Sequence, residues 1–478
     1  MLGAVDGARA GNAMRTAVER QRRVESGLWQ EPVTHPLAPM TTTIEAAMAR
    51  HRVPGCAVAV ISAGQIAWAR GYGVAASDAA EPVAVGDDTL FQACSISKPV
   101  AAMAALRLVQ AGRLDLDEDV NAYLTSWRVP ANGTWQPRVT LRHLLSHTAG
   151  LTTCWYPGYR RGAALPTILQ TLRGEAPANT PPVRVTALPG TQFRYSGSHF
   201  SVLQRLLVDV EGQPFDALLR ESVFAPLGMD SSGYEVDFPE RHPGATASGH
   251  DAGGEPIAGG WRAMPESAGA GLWTTPADLC RLACDVMAAW SGRPAQLLDR
   301  ETARQMLTAQ VGGWGLGWTV EQIGGALRCG HGGSNIGYKC RLVFWPERGV
   351  GAAVMTNADD GSALVGEILD AIGREYGWPD ATGTTDQAGA TIALASLAGF
   401  AGEWTGEGLA RLTIAVADGR LLLGLAGQPP LPLSAIGEAA FIAEVVNAEV
   451  RFERHEVGAV DQLIVRQRGE ELRFARAE

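Results

Sequence analysis

From Thr43 to His51 apolar residues recur at helical spacing, and Pro54-Gly55 closes the run. Two apolar runs follow, CAVAVIS and QIAWARGYGV, parted by Ala63-Gly64, and this pattern predicts a β-hairpin. Far along the chain RLVFW and GVGAAVMTN flank PERG and predict a second hairpin, with helical periodicity from Ala363 to Tyr376 behind it. Between the two hairpins, over residues 100–325, helical and loop patterns dominate. Strands at both ends with helices between them predict an α+β fold: one antiparallel sheet assembled from distant segments, flanked by helices, with a helical region inserted.

Past Gly377 the pattern changes. Residues 377–390 (GWPDATGTTDQAGA) are polar and rich in Gly and Thr, the composition of a linker. Beyond them RLTIAV and RLLLGL alternate about Asp418-Gly419, and FIAEVV, EVRFER, QLIVRQ and ELRFAR keep the period of two. Such closely spaced short strands predict a small β-barrel or sandwich. At the other end, residues 14–24 carry a charged helical pattern and EPVTHPLAP (31–39) is punctuated by proline. The expected domains are an N-terminal extension (1–41), the α+β domain (42–380), a linker (381–395) and the barrel (396–478).

Composition narrows the class. The 478 residues are about twice what one hydrophobic core usually covers. A hydrophobic share of 46% with 19% charged residues is that of a soluble globular protein. A net charge of −10, with Lys and Arg scattered, repels a phosphate backbone and argues against nucleic acid as a partner. The seven cysteines are odd in number and form no C-x-x-C pair, so free buried thiols in a reducing compartment are expected. The N-terminus lacks the apolar core of a secretory signal and no 18-residue apolar stretch occurs, so a cytoplasmic protein with no membrane partner is expected.

Chemistry concentrates in Phe91-Gln92-Ala93-Cys94-Ser95-Ile96-Ser97-Lys98-Pro99, followed by the apolar VAAMAALRLVQAG. Val100, Met103, Leu106 and Val109 recur every three residues and Gly112 supplies a C-terminal stop, which predicts a buried helix with Ser95 in its first turn. Ser95 and Lys98, three apart, share one face of that helix. A serine hydroxyl is a weak nucleophile near neutral pH, and an adjacent amine that burial keeps partly neutral can take its proton. S-x-x-K alone is a common pattern. What lifts it is a lysine set beside a proline in an almost wholly apolar helix.

The segments LFQACSISKPVAAMAALRLVQAGRLDLDEDV, VTLRHLLSHTAGL, PGTQFRYSGSHFSVLQRLLVDVEG, AGAGLWTTPADLCRLA and GHGGSNIGYKCRLVFWPERG, in this order, resemble the successive signatures of the class C β-lactamase-like serine hydrolases, over residues 42–376. That family includes penicillin-binding-protein-like esterases, D-aminopeptidases and transesterases. The resemblance implies a β-lactamase/transpeptidase-like sheet. It also implies that Tyr195 lies beside Ser95 and Lys98 and shuttles a proton to the leaving group. The family's Y-x-N motif reads Tyr195-Ser196-Gly197 here, so the usual Asn carboxamide is missing, and Ser198 or His199 are candidates to replace it. The third motif is His331-Gly332-Gly333 in place of K-T-G. The resemblance implies that His331 and Gly333 line the far side of the cleft. It further implies that the Ser334 backbone N–H completes an oxyanion hole with that of Ser95. Some relatives carry a lipocalin-like barrel at the C-terminus, which could cap the cleft or serve stability or a dimer contact; self-association is left open.

No cofactor or metal is expected. His143 and His147 are four apart, but no H-E-x-x-H arrangement accompanies them. Thr275-Pro276 reads as a helix cap, and Trp155, Tyr156, Trp261, Trp273, Trp314 and Trp318 are candidates for an acyl pocket or for the core. A G-x-S-x-G elbow and a P-loop are both absent. The expected activity is ester hydrolysis on a small molecule through a Ser95 acyl-enzyme. An amide-acting D-aminopeptidase or a peptide-cyclising thioesterase or transacylase is the alternative in the same chemistry. A binding protein that keeps the scaffold without catalysis is the reading of another class, and the joint presence of Ser95, Lys98 and Tyr195 speaks against it.

Overall fold

The computed structural model describes residues 16–30, 40–76, 82–242 and 244–380, and in the C-terminal part 397–406, 411–417, 420–425, 430–437, 439–443, 448–454, 460–467 and 470–477. The linker expected at 381–395, the proline-punctuated segment 31–39, Met14 and the Asp418-Gly419 turn lie outside these. Two compact units divide the chain, one up to residue 381 and one from 382 onward.

The first unit is built on a seven-stranded sheet: β1 (Gly55–Ser62), β2 (Gln65–Ala76), β3 (Val83–Ala84), β4 (Thr319–Ile323), β5 (Ala326–Asn335), β6 (Tyr338–Trp345) and β7 (Val350–Thr356), in the order β4-β5-β6-β7-β1-β2-β3. Every pairing is antiparallel, and β7 joins β1 to bring the two ends of the chain segment together. Ala63 and Gly64, at φ 53° and 73°, turn β1 into β2 with the left-handed pair that a two-residue hairpin requires. The apolar run in β1 has its reason in burial on both faces. Ala57, Ala59 and Ile61 join one core, and Cys56, Val58 and Val60 join the other.

Helices cover both faces. On one side α1 (Ile44–His51) and α5 (Gly361–Tyr376) pack, with Leu364, Val365, Ile368, Leu369 and Ile372 of α5 turned inward at helical spacing. On the other side lie α2 (Ser97–Gln110), α3 (Ser198–Glu211) and α4 (Pro276–Ser291), with Thr275 capping α4 as its sequence predicts. Every residue of α2 from Ser97 to Leu106 is buried, so this helix is the axis of the larger core. Part of the N-terminal extension belongs to the body: residues 16–25 are helical, Val24 and Leu28 enter the second core, and Arg374 of α5 donates to the Gly27 carbonyl (2.8 Å).

The second unit is an eight-stranded antiparallel barrel running from Gly402–Thr405 to Glu470–Arg476, each strand beside the next and the last closing on the first. Phe400, Trp404, Phe441 and Phe452 fill its interior. Two of its strands escape the sequence pattern. Gly402–Thr405 is too short to show a period, and Leu431–Gly437 contains Pro432, a residue that argues against a strand yet pairs here with Leu422. All seven cysteines are free. Among the described residues no helix is long and apolar enough to cross a membrane.

Candidate active site

Ser95 stands in a 3-10 turn, Cys94–Ile96, that feeds directly into α2. It is thus one step ahead of the helical turn expected from periodicity. Cys94 before it has φ 51°, a left-handed conformation that costs a non-glycine residue energy and persists only when its surroundings impose it. Several contacts do so. The Ala93 amide donates to Leu272 O (2.8 Å), Ser97 Oγ donates to Cys94 O (2.5 Å) and the Leu272 amide donates to Ser97 Oγ (3.0 Å). Tyr234 anchors the start of α2 by donating to Ser97 O at 2.7 Å.

Lys98 is only 2% exposed, and its Nζ donates to Ser95 Oγ at 2.9 Å and to Gly269 O at 2.7 Å. Both acceptors are neutral. An ammonium so placed is expensive to bury, so packing alone gives no reason for a lysine here. The same Nζ lies 5.1 Å from the centroid of the Tyr195 ring and 5.7 Å from that of Phe200.

Tyr195 is half-buried and walled by rings: His147 at 4.3 Å, Trp155 stacked at 5.6 Å and Trp314 edge-on at 5.6 Å. His147, itself at φ 57°, is held from two sides. The Ser196 amide points at its Nδ1 (3.4 Å), which makes that nitrogen an acceptor. The proton between the two imidazoles therefore sits on His199 Nδ1, which faces His147 Nδ1 and Ser196 O, both at 3.1 Å. Burial pushes His199 down to about 4, so its ring is neutral at ordinary pH.

Across the cleft runs β5 with His331, Gly333 and Ser334. His331 is buried, donates from Nδ1 to Gly332 O (2.5 Å) and lies 6.1 Å from Tyr195, ring to ring. At Gly333 the strand lies close against the turn that carries Ser95. A Cβ there would stand 2.3 Å from Cys340 Sγ, 2.6 Å from Ala93 O and 2.9 Å from Cys94 Cβ, so only glycine fits. Gly330 turns its carbonyl to β4, where Thr319 Oγ1 donates to it (2.9 Å). Backbone groups alternate in direction along an antiparallel strand, so Ser334 faces the same edge, beyond the point where β4 has ended. Asn335 ties the strand end down by donating to Gln92 Oε1 (2.7 Å) and Ala270 O (3.2 Å).

At Gly197 the sequence left a gap, and the structure fills it with Tyr156. A Cβ on Gly197 would meet Tyr156 Cζ at 2.4 Å, and one on Gly269 would meet Tyr156 Cε2 at 2.4 Å. The phenol donates to Gly197 O and lies 2.7 Å from Ser201 Oγ. The two residues suggested to replace the Asn carboxamide are engaged elsewhere: Ser198 Oγ donates to Thr152 O (2.6 Å), and His199 Nδ1 is taken up by His147 and Ser196 O. Tyr156 was singled out in sequence only as a candidate for an acyl pocket or the core, and the Gly269 carbonyl left no trace beyond the small-residue run SAGAG at 267–271.

Of the tryptophans, Trp155 and Trp314 adjoin Tyr195, whereas Trp273 packs on Tyr338 and Trp318 on Phe344 in the core. His143 accepts the Thr140 amide in a helix cap (3.3 Å), a task unrelated to His147.

Residues 40–374 match the family model described as Beta-lactamase. Over 336 residues the chain is 30% identical to Penicillin-binding protein 4 of Amycolatopsis lactamdurans, which covers 66% of this chain and 83% of that one. It is 32% identical over 231 residues to Esterase EstB of Burkholderia gladioli, or 46% of this chain and 56% of that one. In fold it is similar to the octameric penicillin-binding protein homologue from Pyrococcus abyssi, with a TM-score of 0.59 and 21% identity over 91% of this chain and 98% of that chain.

Proposed function

The chain belongs to the Beta-lactamase family of serine hydrolases, and from that premise we propose that it is an esterase working through an acyl-enzyme on Ser95. The observation that carries the reading is the 2.9 Å contact between Ser95 Oγ and a buried Lys98 whose acceptors are neutral. In the proposed reaction Ser95 Oγ attacks the ester carbonyl carbon while the neutral amine of Lys98 takes its proton. The oxyanion gathers negative charge and is held by the backbone N–H groups of Ser95 and Ser334, with His331 and Gly333 lining the same wall. Collapse breaks the bond to the alkoxy oxygen, which leaves as alcohol with the proton of the Tyr195 phenol, and the proton on Lys98 replaces it. Water then adds to the acyl-enzyme by the same proton path, releasing the carboxylic acid and restoring Ser95.

Esters come first because the chain is similar to an esterase and because Tyr156 stands where a carboxamide at position 197 would need room. The similarity to a penicillin-binding protein supports the second reading, a D-aminopeptidase or peptide-cyclising transacylase using the same three residues. The eight-stranded up-and-down order of the C-terminal unit supports its assignment as a lipocalin-like barrel over 396–478, following a hydrolase domain over 42–380.

Intact mass after treatment with a fluorophosphonate tests the nucleophile. One adduct is expected on the wild type and none on Ser95→Ala; an unlabelled wild type would mean a silent binding protein. Short nitrophenyl esters against D-alanyl anilides then rank the substrates, and turnover of the anilides alone would put amides ahead of esters.

A further inference from the structure

We infer that Tyr156 is a positioning residue of this site: its ring and hydroxyl hold the Gly269 carbonyl against Lys98 and the Gly197 turn behind Tyr195, so that both proton carriers point at Ser95. The inference rests on the proposed nucleophile and adds a residue to its machinery.

Three consecutive residues wrap the Tyr195 segment. The Cys154 amide donates to Ser196 Oγ (2.9 Å), and the Gly197 amide donates back to Cys154 O (2.9 Å). Trp155 stacks on the outer side of Tyr195 and is 69% exposed. Tyr156 turns the opposite way, inward, and enters the space between Gly197 and Gly269. Both glycines lack room for even a methyl group because of this ring. The side-chain volume absent from two backbone positions is thus the volume of one phenol.

The contacts are directed at the chemistry. The ring packs against the Cα of Gly269, whose carbonyl is one of the two acceptors of Lys98 Nζ. Gly197 O receives the Phe200 and Ser201 amides (2.8 and 3.1 Å) that begin α3, and the phenol donates to the same oxygen while meeting Ser201 Oγ at 2.7 Å. The hydroxyl therefore pins the first turn of α3, two residues past Tyr195. Burial holds the phenol's proton well above the ordinary tyrosine range, so it remains a donor throughout the working pH. It serves as a fixed strut, and the proton traffic runs through Lys98 and Tyr195 beside it.

The test compares Tyr156→Phe with wild type in fluorophosphonate labelling of Ser95, read as rate against reagent concentration, alongside thermal unfolding. Losing the hydroxyl is expected to lower the maximal labelling rate about tenfold, the loss of one well-placed hydrogen bond. Half-saturation is expected to hold within about twofold and the unfolding midpoint within about 3 °C. Wild-type speed in Y156F, or a loss that follows the midpoint alone, would reduce Tyr156 to core packing and overturn the inference. Gly269→Ala approaches from the other partner, since its methyl displaces the ring and the Lys98 acceptor; slowing is again expected, and wild-type speed again overturns the inference. If the wild type itself takes no label, the nucleophile assignment fails, which differs from a labelled wild type matched by both variants.

Discussion

Lys98 occupies a position that few lysines tolerate, with its Nζ out of water between a hydroxyl and a carbonyl. If it and Tyr195 carry the serine proton, Lys98→Ala and Tyr195→Phe each lower the acylation rate at least ~100-fold, measured by pre-steady-state hydrolysis of a nitrophenyl ester. Activity close to wild type in either variant removes that residue from the mechanism. Trp155 offers an exposed indole on the outer face of Tyr195, a shelf for an aromatic or apolar substrate group. Trp155→Ala is expected to raise KM for aromatic esters about fivefold with kcat retained, a stacking effect that acetate esters do not share. Glu266 reports on pH. Burial pushes its carboxyl up to about 7 from an ordinary 4.5. Because the folded-state value is raised, the neutral acid's stability is fully present below pH 4.5 and is lost as pH rises through about 7. Glu266→Gln stays neutral throughout. Its unfolding free energy relative to wild type should therefore climb from about pH 4.5 to about pH 7 and level off above, by on the order of 3 kcal/mol. A difference that does not vary with pH would contradict this.

Among the elements, β5 and the Ser95 turn depend closely on each other. Gly333 is the hinge of that contact, pressed against the Ala93 carbonyl and the Cys94 and Cys340 side chains. Gly333→Ala must push the strand away from Ser95, at a cost of about 1–3 kcal/mol in stability and with slower labelling of Ser95. Thermal unfolding together with adduct mass checks both, and an unaffected variant would show that the strand can yield. At this scale the sequence was legible where a pattern repeats. The helix of Ser97–Gln110, the hairpins at Ala63-Gly64 and around PERG, and the cap at Thr275 all follow from spacing. It was opaque where an element is too short or breaks a rule, as at Gly402–Thr405 and at Pro432 within a strand.

In the whole molecule, β1 and β7 lie side by side, and Cys56 pairs with Thr356 although the entire helical region separates them in the chain. That closure brings residues 95–98 from one end and 331–334 from the other to the same crevice, while the segment leading into α3 delivers Tyr195 from the inserted region. The barrel closes on its own interior aromatics, which makes it a separate unit with a core of its own. The segment 16–30 shows a different lesson: charged and proline-flanked in sequence, it still sends Val24 and Leu28 into the core under α5, because single apolar residues carry no period to read.

Local information was enough for the α+β order of elements, the barrel behind them and the Ser95–Lys98 pair, because each rests on periodicity or on a motif a few residues long. Packing in three dimensions dictated the rest: Gly197 and Gly269 make way for Tyr156, His147 and His199 clamp Tyr195, and Gly333 seats the strand against Cys94. Those are contacts between side chains far apart in the chain, and what selects them is the shape of the space left when the sheet and helices have come together.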